Sequence, residues 1–102
     1  MFAEDFVQRL IQLRKQKGVS ARDMSLSIGQ NPNYIFSIET GRMLPSMSVF
    51  FYICDFLHVT PCEFFDIQTP EPDKLRETIK NLKKLDIERF NNINAVIANL
   101  AN

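Results

Sequence analysis

Apolar residues recur along this chain with the period of an α-helix almost throughout. Phe6, Leu10 and Leu13 form an i, i+4, i+7 stripe over about residues 4–17. Similar stripes return in later segments, and alternation of apolar and polar residues never extends beyond four or five positions. The pattern therefore predicts an all-α protein.

Cap and stop residues bound the next two predicted helices. The hydroxyl of Ser20 can cap a second helix over about residues 21–28. A third helix is predicted over residues 32–40, with Asn31 as its N-cap. Pro32 fits the first position of this helix, because the N–H that proline lacks would have no partner there. A glycine follows each of these helices, as is common at helix ends.

Two further predicted helices complete a first domain, residues 1–66. Ser46 can cap the fourth helix, and Thr60-Pro61-Cys62-Glu63 is a capping box that starts the fifth, with His58 at the helix stop before it. Phe64 and Phe65 are expected to close the core. The fourth helix is expected to be central, because it carries a wide apolar surface: Met47, Phe50, Phe51, Ile53, Cys54 and Leu57.

In the remainder of the chain, proline and polar residues predict a linker over residues 67–72. Apolar residues at helical spacing then predict two amphipathic helices in residues 73–102, the second capped by Asp86. Their narrow apolar stripes need a partner surface. Symmetric pairing with a second copy would cover them, and folding back onto the chain's own first domain is the alternative. The stripe residues are Leu75, Ile79, Leu82, Ile87, Phe90, Ile93, Ile97 and Leu100.

The charge balance gives no global attraction to a polyanion. The chain has 12 basic and 12 acidic residues, and residues 1–66 hold six bases against seven acids. This balance predicts few phosphate contacts per subunit. Binding of nucleic acid would therefore depend on dimerisation and on the local placement of Arg14, Arg22 and Arg42.

Composition argues against several other classes of protein. We find no Ser/His/Asp set, no glycine-rich phosphate loop and no metal-ligand spacing, so we expect no enzyme, no cofactor and no metal site. Cys54 and Cys62 are expected to be small apolar core residues. No apolar run is long enough to span a membrane and the N-terminus is acidic, which favours a cytoplasmic protein.

The segment around the second and third helices carries a family resemblance. Ala21, Ser25 and Gly29, followed by Ile35 and Ile38, have the spacing of a helix-turn-helix. With "GVS", "SIETG" and "LPS", the sequence resembles the Cro and phage-repressor class of regulators, the XRE family, over about residues 6–66. The resemblance implies a five-helix, lambda repressor-like DNA-binding domain.

In that family the third helix enters the major groove, and neighbouring helix starts and the following loop hold phosphates. Asn33 is the best candidate for reading a base, because an amide can pair with adenine. The resemblance assigns support of this helix to Glu39, Ser25, Gly29, Ile35 and Ile38. The implied DNA-binding positions are Arg14, Ala21, Arg22, Asn31, Pro32, Asn33, Tyr34, Phe36, Ser37 and Arg42.

Three of these positions leave questions open. Phe36 replaces the usual polar residue and could contact either a thymine methyl group or a protein partner. Ala21 replaces a common phosphate-binding glutamine, so that interaction is either absent or passes to Arg22. Arg14 is expected to pair with Glu39, either as a purely structural bridge or also touching a phosphate.

These features predict a sequence-specific transcriptional regulator, expected to be a repressor, that reads a palindromic operator as a homodimer through residues 32–40. Its partners would be double-stranded DNA and a second copy joined through the C-terminal helices. The alternative is a protein-interaction module with a helix-turn-helix fold, such as an antitoxin component, which would have a protein partner.

Overall fold

A computed structural model of the chain describes residues 3–66 and 71–102, and within these ranges it contains seven α-helices and no strand. The predicted all-α class is therefore confirmed. The chain divides into two compact units, Met1–Pro72 and Asp73–Asn102. The helices are α1 (Ala3–Lys17), α2 (Ala21–Ser27), α3 (Tyr34–Glu39), α4 (Met47–Leu57), α5 (Pro61–Phe65), α6 (Pro72–Leu82) and α7 (Ile87–Ala101).

The first unit is built around one apolar core to which all five of its helices contribute. An aromatic cluster links three of them, because the ring of Phe64 lies 5.0 Å from that of Phe6 and 5.2 Å from that of Phe50. Phe65 packs on Phe50 at 5.4 Å but remains partly exposed. The core residues are Leu10, Leu13, Met24, Ile28, Ile35, Ile38, Phe50, Ile53, Cys54, Leu57, Val59 and Phe64.

The inward surface of α4 is narrower than its sequence predicts. Met47 is 67% exposed and Phe51 is 49% exposed, whereas Phe50 and Cys54 are buried. The helix packs against α1 and α5, and Met47 and Phe51, one helical turn apart, share a face that the core does not cover. The prediction that these two residues belong to the core is wrong.

The predicted caps of α2, α4 and α5 are present, whereas Asn31 does not cap α3, which is preceded by Asn33. The hydroxyl of Ser20 accepts the N–H of Asp23 at 3.0 Å. Thr60 and Glu63 form the reciprocal capping box of α5, at 2.9 and 3.1 Å. His58 ends α4 in the left-handed conformation, with φ at 57°. These local bonds fix the helix boundaries.

The two thiols lie in different environments. Cys54 is buried, and this burial, with a smaller effect of the neighbouring Asp55, raises its pKa to about 11. Cys62 is exposed at the second position of α5, so its prediction as a core residue is wrong. In this short helix Phe64 turns toward the core instead.

The second unit consists of the two predicted amphipathic helices. The carboxylate of Asp86 accepts the N–H of Arg89 at 2.8 Å and so caps α7. Pro72 is the first residue of α6, whereas the sequence pattern predicts it as the end of the linker; proline is tolerated in a first helical turn. Of that predicted linker, residues 67–70 lie outside the described residues.

Both apolar stripes of the second unit remain accessible. Leu82 and Leu85 are half-buried, and the other large apolar side chains are exposed. Val96 extends the predicted stripe. The exposed set is Leu75, Ile79, Ile87, Phe90, Ile93, Val96, Ile97 and Leu100.

Candidate nucleic-acid interface

Helices α2 and α3 are joined by a tight turn at Gly29. Its φ of 78° lies in the left-handed region, where glycine is not strained. The N–H of Gly29 donates to the carbonyl of Leu26 at 3.1 Å, and the N–H of Gln30 donates to that of Ser25 at 2.9 Å. The chain therefore leaves α2 in a defined direction toward α3.

Ser25 fixes the contact between these two helices with its hydroxyl group. The hydroxyl oxygen accepts the N–H of Ile35 at 2.9 Å, and the hydroxyl donates to the carbonyl of Ala21 at 2.7 Å. Ser25 is fully buried. The spacing pattern points only to the small size of this residue, although a serine rather than an alanine at a predicted helix crossing was a signal for a buried hydrogen bond.

The start of α3 differs from the prediction of residues 32–40. The side chain of Asn31 accepts the N–H of Asn33 at 3.0 Å, and the N–H of Tyr34 donates to the carbonyl of Asn31 at 3.1 Å. The first bond of α-helical spacing runs from Ser37 to Asn33, at 2.9 Å. Asn31 thus organises a tight turn through Pro32, and the helix proper begins after it.

The outward side of this segment has no charged residue between positions 31 and 37. Asn31 and Asn33 are exposed, and Phe36 is 51% exposed. Pro32, Tyr34 and Ser37 are half-buried, and burial raises the pKa of the Tyr34 phenol. Ile35 and Ile38 are fully buried beneath them. The surface offers amides for hydrogen bonding and one phenyl ring for apolar contact.

Arg14 ties α1 to the end of α3. Its guanidinium donates to the two carboxylate oxygens of Glu39 at 2.6 and 2.8 Å and to the carbonyl of Val19 at 2.9 Å. The hydrogen bond to Glu39 is the main cause of a raised pKa of Arg14. The expected pair is therefore present, and three of the donors of Arg14 point to protein oxygens.

Arg9 is a buried residue that sequence analysis missed. It is 1% exposed, and its Nε donates to the carbonyl of Phe64 at 2.6 Å while Nη2 donates to that of Glu63 at 2.7 Å. Burial lowers its pKa, and the charge of Asp66 opposes this shift. The signal was its position three residues after Phe6, on the inward stripe of α1.

These contacts reduce the number of cations that can meet a polyanion. Of the six bases in residues 1–66, Arg9 and Arg14 bond to protein oxygens, and the ammonium of Lys17 lies 5.0 Å from the ring centre of Phe56. The other three bases are exposed: Lys15 near the end of α1, Arg22 in the first turn of α2, and Arg42 after α3. Ala21 is half-buried and packs on the core.

The described ranges contain neither a cluster of metal-ligating side chains nor a helix that could span a membrane. No group of three or more His, Cys, Asp or Glu side chains there could hold a metal ion. None of the helices in residues 3–66 and 71–102 is long and apolar enough to cross a membrane.

Comparison with known proteins agrees with this geometry. A family model described as helix-turn-helix matches residues 10–64, which is more than half of the chain. The match includes α2, α3 and the turn between them. No curated protein and no solved structure gives a significant match.

Proposed function

Because the chain belongs to the XRE-type helix-turn-helix family of DNA-binding transcriptional regulators, we propose that it is a repressor that binds a palindromic operator as a homodimer. The observation that carries this proposal is the arrangement of α3. Its buried side is held by Ile35, Ile38 and the hydroxyl of Ser25. Phe36 on the helix and Asn33 just before it are exposed to solvent.

In this proposal α3 enters the major groove. The amide of Asn33 accepts and donates hydrogen bonds at the edge of an adenine, and the ring of Phe36 contacts a thymine methyl group. Arg22 and Arg42 contact phosphates on either side, since both are exposed. Phosphate contacts set the orientation of the domain, and the side chains of Asn33 and Phe36 discriminate between sequences.

Dimerisation is assigned to the second unit. Eight large apolar side chains of α6 and α7 are exposed, and pairing with a second copy would remove them from water. A symmetric dimer presents two copies of α3 to half-sites roughly 34 Å apart, about one turn of duplex. Occupation of such an operator would repress transcription by occluding polymerase.

Selection from a random duplex pool at low salt tests this proposal. The full-length chain is expected to enrich a palindrome whose half-sites are centred about 10 base pairs apart. The Asn33→Ala variant is the matched control, and it should lose preference at an adenine within each half-site. Recovery of no enriched sequence by the full-length chain would reject operator recognition.

A second candidate function is favoured by one observation, the 51% exposure of Phe36 on an uncharged surface. Aromatic residues, phenylalanine among them, are enriched in protein–protein interfaces, so Phe36 could instead bind another protein, as in an antitoxin component. In that case Phe36→Ala would abolish capture of the protein partner, and selection would recover no DNA motif. The two functions therefore predict opposite outcomes of the selection.

A further inference from the structure

Helix α6 carries a row of basic side chains along one side. Arg76, Lys80 and Lys83 are spaced i, i+4, i+7, and Lys84 follows. The helical turn continues past the end of α6, because the N–H of Lys83 donates to the carbonyl of Ile79 at 3.0 Å. All four basic side chains are exposed. We call these four residues the basic stripe.

Positive charge in this chain is concentrated at the stripe. Residues 73–85 contain five bases and two acids, for a formal charge of +3, whereas residues 1–66 carry −1. Arg76 bonds to Asp73 at 3.3 Å, which partly neutralises the first turn. The last turn is the most cationic part, since residues 80–84 contain Lys80, Lys83 and Lys84 and no acid.

The basic stripe is separate from the apolar stripe of the same helix. On a helical projection its centre lies roughly 120° around the axis from that of Leu75, Ile79 and Leu82. Burial of the apolar residues between two subunits would therefore leave the lysines in solvent. The two sides of α6 can serve a dimer and a polyanion at the same time.

We propose that the basic stripe binds the phosphate backbone of duplex DNA and adds sequence-independent affinity to the few phosphate contacts proposed for Arg22 and Arg42 of the first unit. This inference rests on the proposed function, because it makes α6 a second contact to the same duplex. Release of counterions from phosphates is the main source of such affinity. In the first unit Arg9 and Arg14 are committed to protein oxygens, and the exposed bases that remain are offset by seven acids. Lys80, Lys83 and Lys84 are exposed within five residues that contain no acid, so they form the denser group of cations.

The test uses the full-length chain and a 30-base-pair duplex of random sequence, with affinity measured by fluorescence anisotropy between 50 and 300 mM NaCl. The charge-removing variant carries Lys80→Gln, Lys83→Gln and Lys84→Gln. The matched control carries arginine at the same three positions. Sedimentation of all three proteins checks that their oligomeric state is the same.

We expect the slope of log K against log salt to become shallower by about 0.9 for each phosphate that is no longer neutralised, and so by as much as about 2.7 per subunit. The arginine control should keep the original slope. An unchanged slope in the glutamine variant would overturn the proposal. So would unchanged duplex binding together with a loss of binding to phosphatidylserine vesicles, which would assign the stripe to a membrane surface.

The result of this salt titration can be told apart from the result of the operator selection, because the random duplex contains no preferred site. A lysine-dependent slope with no enriched motif would reject sequence recognition and retain the stripe. An enriched palindrome with an unchanged slope would retain sequence recognition and reject the stripe. Failure of the full-length chain to bind random duplex at 50 mM salt would also reject the stripe, whatever the selection recovers.

Discussion

The hydroxyl of Ser25 accepts the backbone N–H of Ile35 across the junction of α2 and α3, at 2.9 Å. Both residues are fully buried, so no water can replace this bond without opening the helix pair. The orientation of the exposed α3 side chains therefore depends on one buried hydroxyl group.

Replacement of Ser25 by Ala is expected to lower the free energy of unfolding by about 1–3 kcal/mol, because it leaves the N–H of Ile35 buried without an acceptor. Urea denaturation monitored by circular dichroism measures the loss. The matched control is Ser27→Ala on the same helix, where the side chain is exposed and the change should stay within about 0.5 kcal/mol. Equal losses in the two variants would contradict a special role of the Ser25 hydroxyl.

Replacement of Glu39 by Gln is expected to cost about 1.5–3 kcal/mol of stability, because it removes a charged acceptor from the guanidinium of Arg14. Thermal or urea unfolding measures this change. Glu4→Gln, at an exposed carboxylate of α1, is the control and should have little effect. A double-mutant cycle with Arg14→Met that yields no coupling energy would show that the pair does not stabilise the fold.

Two substitutions at the proposed interface separate base recognition from phosphate contact. Asn33→Ala should cost about 1–3 kcal/mol of binding free energy on the selected operator and little on random duplex. Arg22→Ala should weaken binding to both duplexes alike, because phosphates carry no sequence information. Anisotropy titrations with the two duplexes provide the comparison. A uniform loss from Asn33→Ala would exclude this side chain as a base reader.

The role of the second unit can be tested by ending the chain at Pro72, which is the boundary between the two compact units. We expect the shortened protein to stay helical, to sediment as a monomer and to bind the operator weakly. In the full-length chain, Ile93→Asp should produce the same monomer, since it places a charge in the exposed apolar stripe of α7. Asn94→Asp is the control for added charge. Dimers of the shortened chain would contradict the assignment.

The two cysteines are expected to react with a thiol reagent at very different rates. At pH 8 the thiol of Cys54 is buried and protonated, since its pKa is raised to about 11, whereas Cys62 is exposed. The native protein should therefore expose one reactive thiol and the denatured protein two. Folding raises the pKa of Cys54 from 9.0 to about 11, so between these pH values the thiol ionises in the unfolded chain but not in the folded one. The free energy of unfolding should therefore fall as the pH rises from about 9 toward 11. Fast modification of both thiols in the native state would contradict the buried position of Cys54.

Much of this fold could be predicted from local signals in the sequence. Three helices begin at the cap residues predicted for them: Ser20, Ser46 and Thr60. Such a cap can be predicted because it depends only on neighbouring residues along the chain. The periodicity also identified Ile35 and Ile38 as the buried side of α3. The family resemblance supplied the pairing of Arg14 with Glu39.

Contacts between distant segments were harder to predict. The bonds from Arg9 to the carbonyls of α5 and from the N–H of Ile35 to the hydroxyl of Ser25 depend on how helices meet, which apolar periodicity does not specify. Met47, Phe51 and Cys62 are apolar residues that face outward, and composition alone cannot reveal which apolar residues the core has room for.

The burial of Arg9 makes the packing of α1 depend on acceptors at the other end of the first unit. A five-residue helix such as α5 is too short to persist alone, and its last carbonyls are bonded to a side chain 54 and 55 residues earlier. A nascent chain that stops short of Glu63 would have to bury the guanidinium without these acceptors or leave the inner side of α1 exposed. The unit therefore becomes complete only when its last helix has left the ribosome.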